Sequence, residues 1–436
     1  MRGLIVVERI AAGGCEMKTM SIPGSLLAIL LTTFISGAVP ARSQEIEAPA
    51  QGQEIEAPPA ANTAALNDAH PDDEQAYRQA LVQMESSEGA YAAGLTESLQ
   101  GLALRLQEQG QHDEAIKLFK RGTHLARVNE GLYCPQQIPL LQGEIASQVA
   151  VENFAVADER QKYLYRVQMR SLESGAPRTE ALLQQAKWQY NAFQVGLDGA
   201  QSFARLMSMS DLYQEALNDV IAREGDKSPE LLPPLHGMLQ AQYLISSYEV
   251  RESDRVFGED GHVNEPLLQF QGYRARSYEQ GNSIIDAIAS IEQKRAARDS
   301  LWLARNRVMV GDWQLWNGRT EAAWQAYREA ETELARREDA QAVTRQLFGE
   351  PVALPAFADL SPLPPVVEPE QADVLLEFGV SERGRVQDLE RLDENDAEDA
   401  YATRLMRQLR KTTFRPRFEA GQPVETAKLV KAFNIQ

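Results

Sequence analysis

The sequence predicts a mainly α chain: antiparallel helical hairpins stacked along residues 76–348, closed by a small α+β domain over residues 372–436. Three observations carry this. Apolar residues recur at helical spacing through the long middle segment, where strand signals are nearly absent. Proline or glycine interrupts that spacing at intervals suited to short helices. Beyond a proline-rich stretch at 349–371 the apolar period changes to two, the period of a strand.

Residues 1–43 read as an N-terminal extension and signal peptide. Met17 and Lys18 make a short basic start, residues 26–35 an apolar stretch, and Val39-Pro40-Ala41 a run of small residues suited to signal peptidase. The apolar stretch is short of the about 20 residues that a spanning helix needs. The expectation is export with cleavage, hence a periplasmic protein. The alternative keeps residues 21–41 as an inner-membrane anchor with periplasmic domains beyond it. A lipoprotein reading of Cys15 fails because Glu8 and Arg9 interrupt the apolar segment before it. Cleavage would leave Cys134 alone, read as a small buried apolar residue.

Residues 44–75 form an acidic Pro/Ala-rich linker in which Gln44-Glu45-Ile46-Glu47-Ala48-Pro49 is duplicated at 53–58. Such a segment has too little apolar surface to offset chain entropy, which predicts a disordered tether.

In the middle segment, Tyr213, Ala216, Leu217, Val220 and Ile221 line one helical face. Breaks are expected at Pro135, Pro139, Pro177, Pro229, Pro233-Pro234 and Pro266. Leu99, Leu102, Ala103, Leu106, Gly110, Ala115, Phe119 and Gly122 alternate large, small and aromatic residues. A second stretch, Val310, Gly311, Gly318, Ala323, Tyr327 and Ala330, repeats that order, with Trp313 and Trp316 displaced from the usual aromatic position. Both resemble a tetratricopeptide repeat, with degenerate units between them, for instance around Ala157 and Ala216. The resemblance implies a superhelix whose surface grips peptides or domains.

Residues 349–371, with Pro362, Pro364, Pro365 and Pro369, read as a semi-rigid linker. Then Leu376, Phe378 and Val380 alternate, Glu382-Arg383-Gly384 turns the chain, and residues 386–392 return as a second strand. Acidic residues from Asp393 to Asp399 cap a helix with Tyr401, Leu405 and Leu409 on its buried face and Arg407, Arg410 and Lys411 near its end. A turn at Gly421-Gln422-Pro423 leads to a last strand, residues 424–435. This order, with Phe378-Gly379-Val380, Phe414-Arg415-Pro416 and Gly421-Gln422-Pro423-Val424, resembles the C-terminal domain of the TonB and TolA-like family.

That resemblance implies a three-stranded antiparallel sheet whose last strand accepts an extended partner segment along its edge. The residues expected to do so are Val424, Lys428, Leu429, Val430, Lys431, Ala432 and Phe433. A covered edge or a homodimer through it is the alternative. A TonB-type energy transducer serving outer-membrane transport needs a retained anchor with polar residues, and residues 21–41 contain no ionisable side chain.

Catalytic signatures are not legible. His70, His112, His124, His236 and His262 have no pair at i, i+4, and hydrolase, dinucleotide and nucleotide loops are missing. The loop Gly258-Glu259-Asp260-Gly261-His262 reads as a connection. Asp393, Asn395 and Asp396 lack the glycine and terminal glutamate of a calcium loop. Arg404, Arg407, Arg410, Lys411, Arg415 and Arg417 read as a solvated basic face. A net charge of −19 disfavours nucleic acid. The expectation is a non-enzymatic adaptor without a cofactor, binding protein partners of the cell envelope, with an outer-membrane receptor or a peptidoglycan-associated protein as candidates.

Overall fold

The computed structural model describes residues 72–199, 202–250, 264–296, 300–357, 360–393 and 399–434. The leader, most of the tether, the loop 258–262, Asn395, Asp396 and Ile435 lie outside these, as do His70 and His262.

Helices fill the first three quarters of the described chain. They are α1 (Asp72–Glu88), α2 (Leu95–Glu108), α3 (His112–Glu130), α4 (Gln137–Ala150), α5 (Phe154–Ser171), α6 (Ala176–Gln194), α7 (Phe203–Glu224), α8 (Leu232–Ser247), α9 (Glu265–Ala296), α10 (Ser300–Trp316), α11 (Thr320–Leu334) and α12 (Ala340–Phe348). Each packs chiefly on its neighbours in sequence. Several prolines expected as breaks sit inside first turns instead: Pro177 in α6, Pro233 and Pro234 in α8, Pro266 in α9. The missing N–H costs nothing there, because first-turn amides have no intrahelical acceptor.

Close approach between helices is built from glycine facing an aromatic ring. A Cβ on Gly143 of α4 would lie 2.3 Å from the Phe119 ring of α3. On Gly311 of α10 it would lie 2.2 Å from the Tyr327 ring of α11. Trp313 is fully buried. Its ring meets Tyr243 edge-on at 4.8 Å, and its Nε1 donates to the Tyr278 carbonyl at 3.3 Å.

Three interhelical turns share one geometry. Gly110 follows α2 at φ +75°, Glu152 follows α4 at φ +59° and Gly318 follows α10 at φ +74°. In each, the next residue's amide reaches back to the helix: Gln111 to Leu106 O at 2.8 Å, Asn153 to Gln148 O at 2.8 Å, Arg319 to Gln314 O at 2.9 Å. This is the hydrogen-bond pattern of a Schellman cap, which favours glycine. Glu152 adopts it without that advantage.

After the helices come β1 (Val352–Ala353), β2 (Val374–Val380), β3 (Val386–Arg391), α13 (Asp399–Lys411), β4 (Phe414–Arg415), β5 (Arg417–Glu419), β6 (Gln422–Val424) and β7 (Thr426–Phe433). The main sheet has order β3-β2-β7, all antiparallel. Val374, Leu376, Phe378 and Val380 of β2 pack with Ala402, Leu405 and Leu409 of α13. Gly384 turns the hairpin at φ +71°, and its carbonyl accepts from the Phe414 amide at 2.9 Å. The molecule is thus mainly helical, with a small C-terminal antiparallel sheet.

Three expectations are corrected. The stretch 349–371 is a packed strap rather than a spacer: β1 pairs with β4, Leu354 is buried, and Val366 bridges to Phe433. Burial of Leu354, Pro355 and Leu360 favours this over a free extended chain. The expected last strand is two strands. Ala420 and Gly421 at positive φ fold β5 and β6 into a hairpin seated on α11 and α12, leaving β7 to start at Thr426. Asp393, expected at the start of α13, is engaged by the sheet. Its carboxylate accepts from the Leu375 amide at 2.8 Å and pairs with Arg391.

Candidate functional site

The hairpin β5–β6 places Phe418 among Trp324, Tyr327 and Phe348, so the last helices and the C-terminal segment share one apolar cluster. Beside it runs a buried ion pair. Arg415 Nη1 donates to both oxygens of Asp312 at 3.2 and 3.0 Å, and the Tyr327 hydroxyl donates to Asp312 Oδ1 at 2.8 Å. Burial raises the Asp312 carboxyl above its ordinary value, opposed by the Arg415 charge and the Tyr327 hydroxyl. Arg415 was expected on a solvated face. Pairing of β4 with β1 turns it inward, while Arg404, Arg407 and Arg410 stay exposed. The Gly421 amide adds a 2.8 Å bond to Glu331.

This seam fixes where β7 lies. Of the expected edge residues, Lys428, Leu429, Val430 and Lys431 fall on β7 in a stretch whose only strand partner among the described residues is β2. Val430 is 49% exposed. Lys428 pairs with Glu377 across the ladder at 2.8 Å, and Lys431 with Glu350 at 3.2 Å. Leu429 turns half-buried toward the core. Ala432 and Phe433 are buried and already engaged: the Val367 amide donates to Ala432 O at 3.0 Å. Val424 lies off the strand, opposite Arg417 in β6. The structure therefore brings together an open stretch of four expected residues and excludes the other three.

A second surface was not legible in the sequence. Between α3 and α5 lies an open groove of about 520 Å³. From α3 it receives Lys120, His124 and Arg127, at i, i+4 and i+7 on one face. From α5 come Lys162, Tyr163 and Arg166, with Glu159 as the carboxylate at its border. Two of the lining cations are paired with the fully buried Glu144 of α4, Arg160 Nε at 2.7 Å and, more distantly, Lys120 at 3.9 Å. The i, i+4, i+7 run on α3 was the available signal; its pairing with α5 was not.

The described histidines do not converge. His112 and His124 lie on α3, and His236 on α8, where burial lowers its imidazole pKa. Among the described residues no group of His, Cys, Asp or Glu could hold a metal ion, and no helix is long and apolar enough to cross a membrane. Cys134 is buried, its Sγ donating to the Ala126 carbonyl at 3.4 Å.

No protein-family model matches the chain, and no curated protein matches it. Among solved structures, BtubC (BKLC) from P. vanneervenii is similar with a TM-score of 0.36 and 11% identity, over 61% of this chain and 89% of that one.

Proposed function

We propose that this chain is a periplasmic adaptor of the cell envelope, in which a tetratricopeptide-like helical scaffold carries a TonB-like sheet that takes an extended partner segment on β7. The observation that carries it is the open outer edge of β7 between Lys428 and Lys431, beside an exposed Val430. An exposed strand edge offers unpaired backbone donors and acceptors, and alternate side chains select the guest. Two further features support the reading. Strand order β3-β2-β7 with α13 against β2 fits the TonB-like arrangement. The recurring turn at Gly110, Glu152 and Gly318, each followed five residues on by a buried alanine (Ala115, Ala157, Ala323), fits a repeated helical hairpin.

The test is photo-crosslinking in the intact chain. A benzophenone side chain at Val430 or Ala427 should label one partner peptide at neighbouring positions, as strand pairing requires. The same group at exposed Val82 on α1 should not. Identical adducts from Val82 and Val430, or none from either strand position, would remove the edge from the account.

A further inference from the structure

We propose that the groove between α3 and α5 binds an acidic peptide segment of a partner protein. It extends the adaptor reading to the helical part and does not depend on the β7 edge.

Four observations lead there. First, the chain carries a formal net charge of −19, yet five Lys or Arg residues converge on this groove. A local basic patch on an acidic protein is felt only within about a Debye length, ~8–10 Å, which suits a short contact rather than long-range capture. Second, the cations are unequally engaged. Arg160 is held by Glu144 at 2.7 Å and Lys162 by Asp158 at 2.7 Å. Arg166 rests over the Tyr163 ring at 5.6 Å, and Lys120 has only its 3.9 Å contact with a carboxylate that Arg160 holds more closely. Arg127 is exposed on the rim. Lys120, Arg127 and Arg166 are thus the cations available to a guest.

Third, Thr123, only 6% exposed, lines the groove, and its hydroxyl, sealed from solvent, has no hydrogen-bond partner among the described residues. A buried polar atom left unpaired is costly, and rotation of the Thr123 side chain toward a guest's carboxylate or backbone carbonyl would satisfy it. Fourth, the dimensions fit. Lys120 to Arg127 spans roughly 10 Å of helix at about 1.5 Å per residue. An extended peptide covers that in about three residues at ~3.3 Å each, so alternate acidic side chains would reach successive cations. Tyr163 is pinned by its hydroxyl, which donates to Gln137 Oε1 at 2.7 Å, and supplies a flat wall for the intervening residue. A nucleic acid would have to extend beyond the groove over a protein of like charge, which disfavours it.

The experiment is fluorescence anisotropy on the full chain with a labelled octapeptide of alternating Glu and Ser, against the same peptide with Gln for Glu. Binding of the Glu peptide alone is expected, weakening as salt rises from 50 to 200 mM. Arg127→Glu with Arg166→Glu should lower affinity at least tenfold, and Thr123→Val a few-fold, with circular dichroism unchanged. Val430→Asp should leave binding unaltered, which separates this surface from the strand edge. The proposal is overturned by equal binding of the Gln peptide, by charge reversals without effect, or by an eight-residue oligothymidine that binds as tightly. A chain lacking residues 44–71 should titrate like the full one. A gain in affinity on that removal would assign the groove to the chain's own acidic segment and overturn the partner assignment.

Discussion

Two buried arginine–aspartate pairs sit in different regions of this molecule and behave in opposite ways. Within the helices, Arg205 reaches Asp158 with Nη1 and Nη2, each at 2.8 Å. At the C-terminal seam, Arg415 reaches Asp312 at 3.0 Å. Side-chain exposure hardly differs, 6% and 6% against 6% and 8%. The surroundings do. Asp158 also accepts from Trp188 Nε1 at 2.8 Å and Lys162 at 2.7 Å, while Arg205 also donates to Gln189 and Asp198. Burial alone would raise the Asp158 carboxyl, but these donors and the Arg205 charge bring it down to about 2. Among the described residues Asp312 has one cation and one hydroxyl, Arg415 Nε has no partner, and there burial wins. More donors and a less deeply desolvated site together leave the Asp158 carboxylate comfortable as an anion, where Asp312 is not.

The largest effect that should separate the two sites is removal of Arg205. Arg205→Ala leaves Asp158, Asp198 and Gln189 without their main donor, and urea unfolding should register a loss of about 3–5 kcal/mol. A loss under about 1 kcal/mol would mean that Lys162 and Trp188 suffice alone.

Arg415→Ala should cost somewhat less, about 3 kcal/mol at pH 8. Its cost should shrink toward pH 5, because a carboxyl whose folded pKa exceeds its unfolded one binds its proton more readily when folded. Stability tied to such a group is greatest at low pH and falls as pH rises through the folded value. Asp312→Leu with Arg415→Met should recover most of the loss, since a packed apolar pair avoids desolvating two charges. A pH-independent cost for Arg415→Ala would contradict the raised Asp312 value.

Asp158 predicts the opposite slope in the wild type. Its folded value of about 2 lies below the ordinary 3.8, so its contribution is present above about pH 4 and disappears as pH falls through 2. That amounts to about 2 kcal/mol. Asp158→Asn should flatten this part of the acid titration of stability.

The smallest expected change is a gain. Glu152 holds φ +59° at a turn where the equivalent positions are Gly110 and Gly318. Glu152→Gly should raise stability by up to about 1 kcal/mol, relief of left-handed strain exceeding the entropy that glycine adds to the unfolded chain. A decrease in melting temperature would show that the Glu152 side chain contributes elsewhere.

How much of this was legible can be judged residue by residue. Leu99, Leu102, Ala103, Leu106, Ala115 and Phe119 are all buried where helical spacing put them, and Phe378 and Val380 line the sheet's core as alternation required. Arg415 was misread, because on a local view it is one more cation in a basic run. Its burial depends on distant segments, β1 beside it in the ladder and Asp312 103 residues away. Ala432 and Phe433 were misjudged for the same reason: their neighbour on the outer side is Val366, from a stretch that reads by composition as a free linker. The groove was missed because its two walls come from helices that alone look like solvated faces.

Secondary-structure type, the switch from helices to a sheet and most of the buried apolar positions were determined by sequence alone, since periods of 3.6 and 2 residues are properties of adjacent side chains. Tertiary structure alone decided which charges are buried, which stretch of β7 stays open and where cations gather. Each of these depends on a distant segment arriving to desolvate, cover or face the residue, and local spacing carries no record of that arrival.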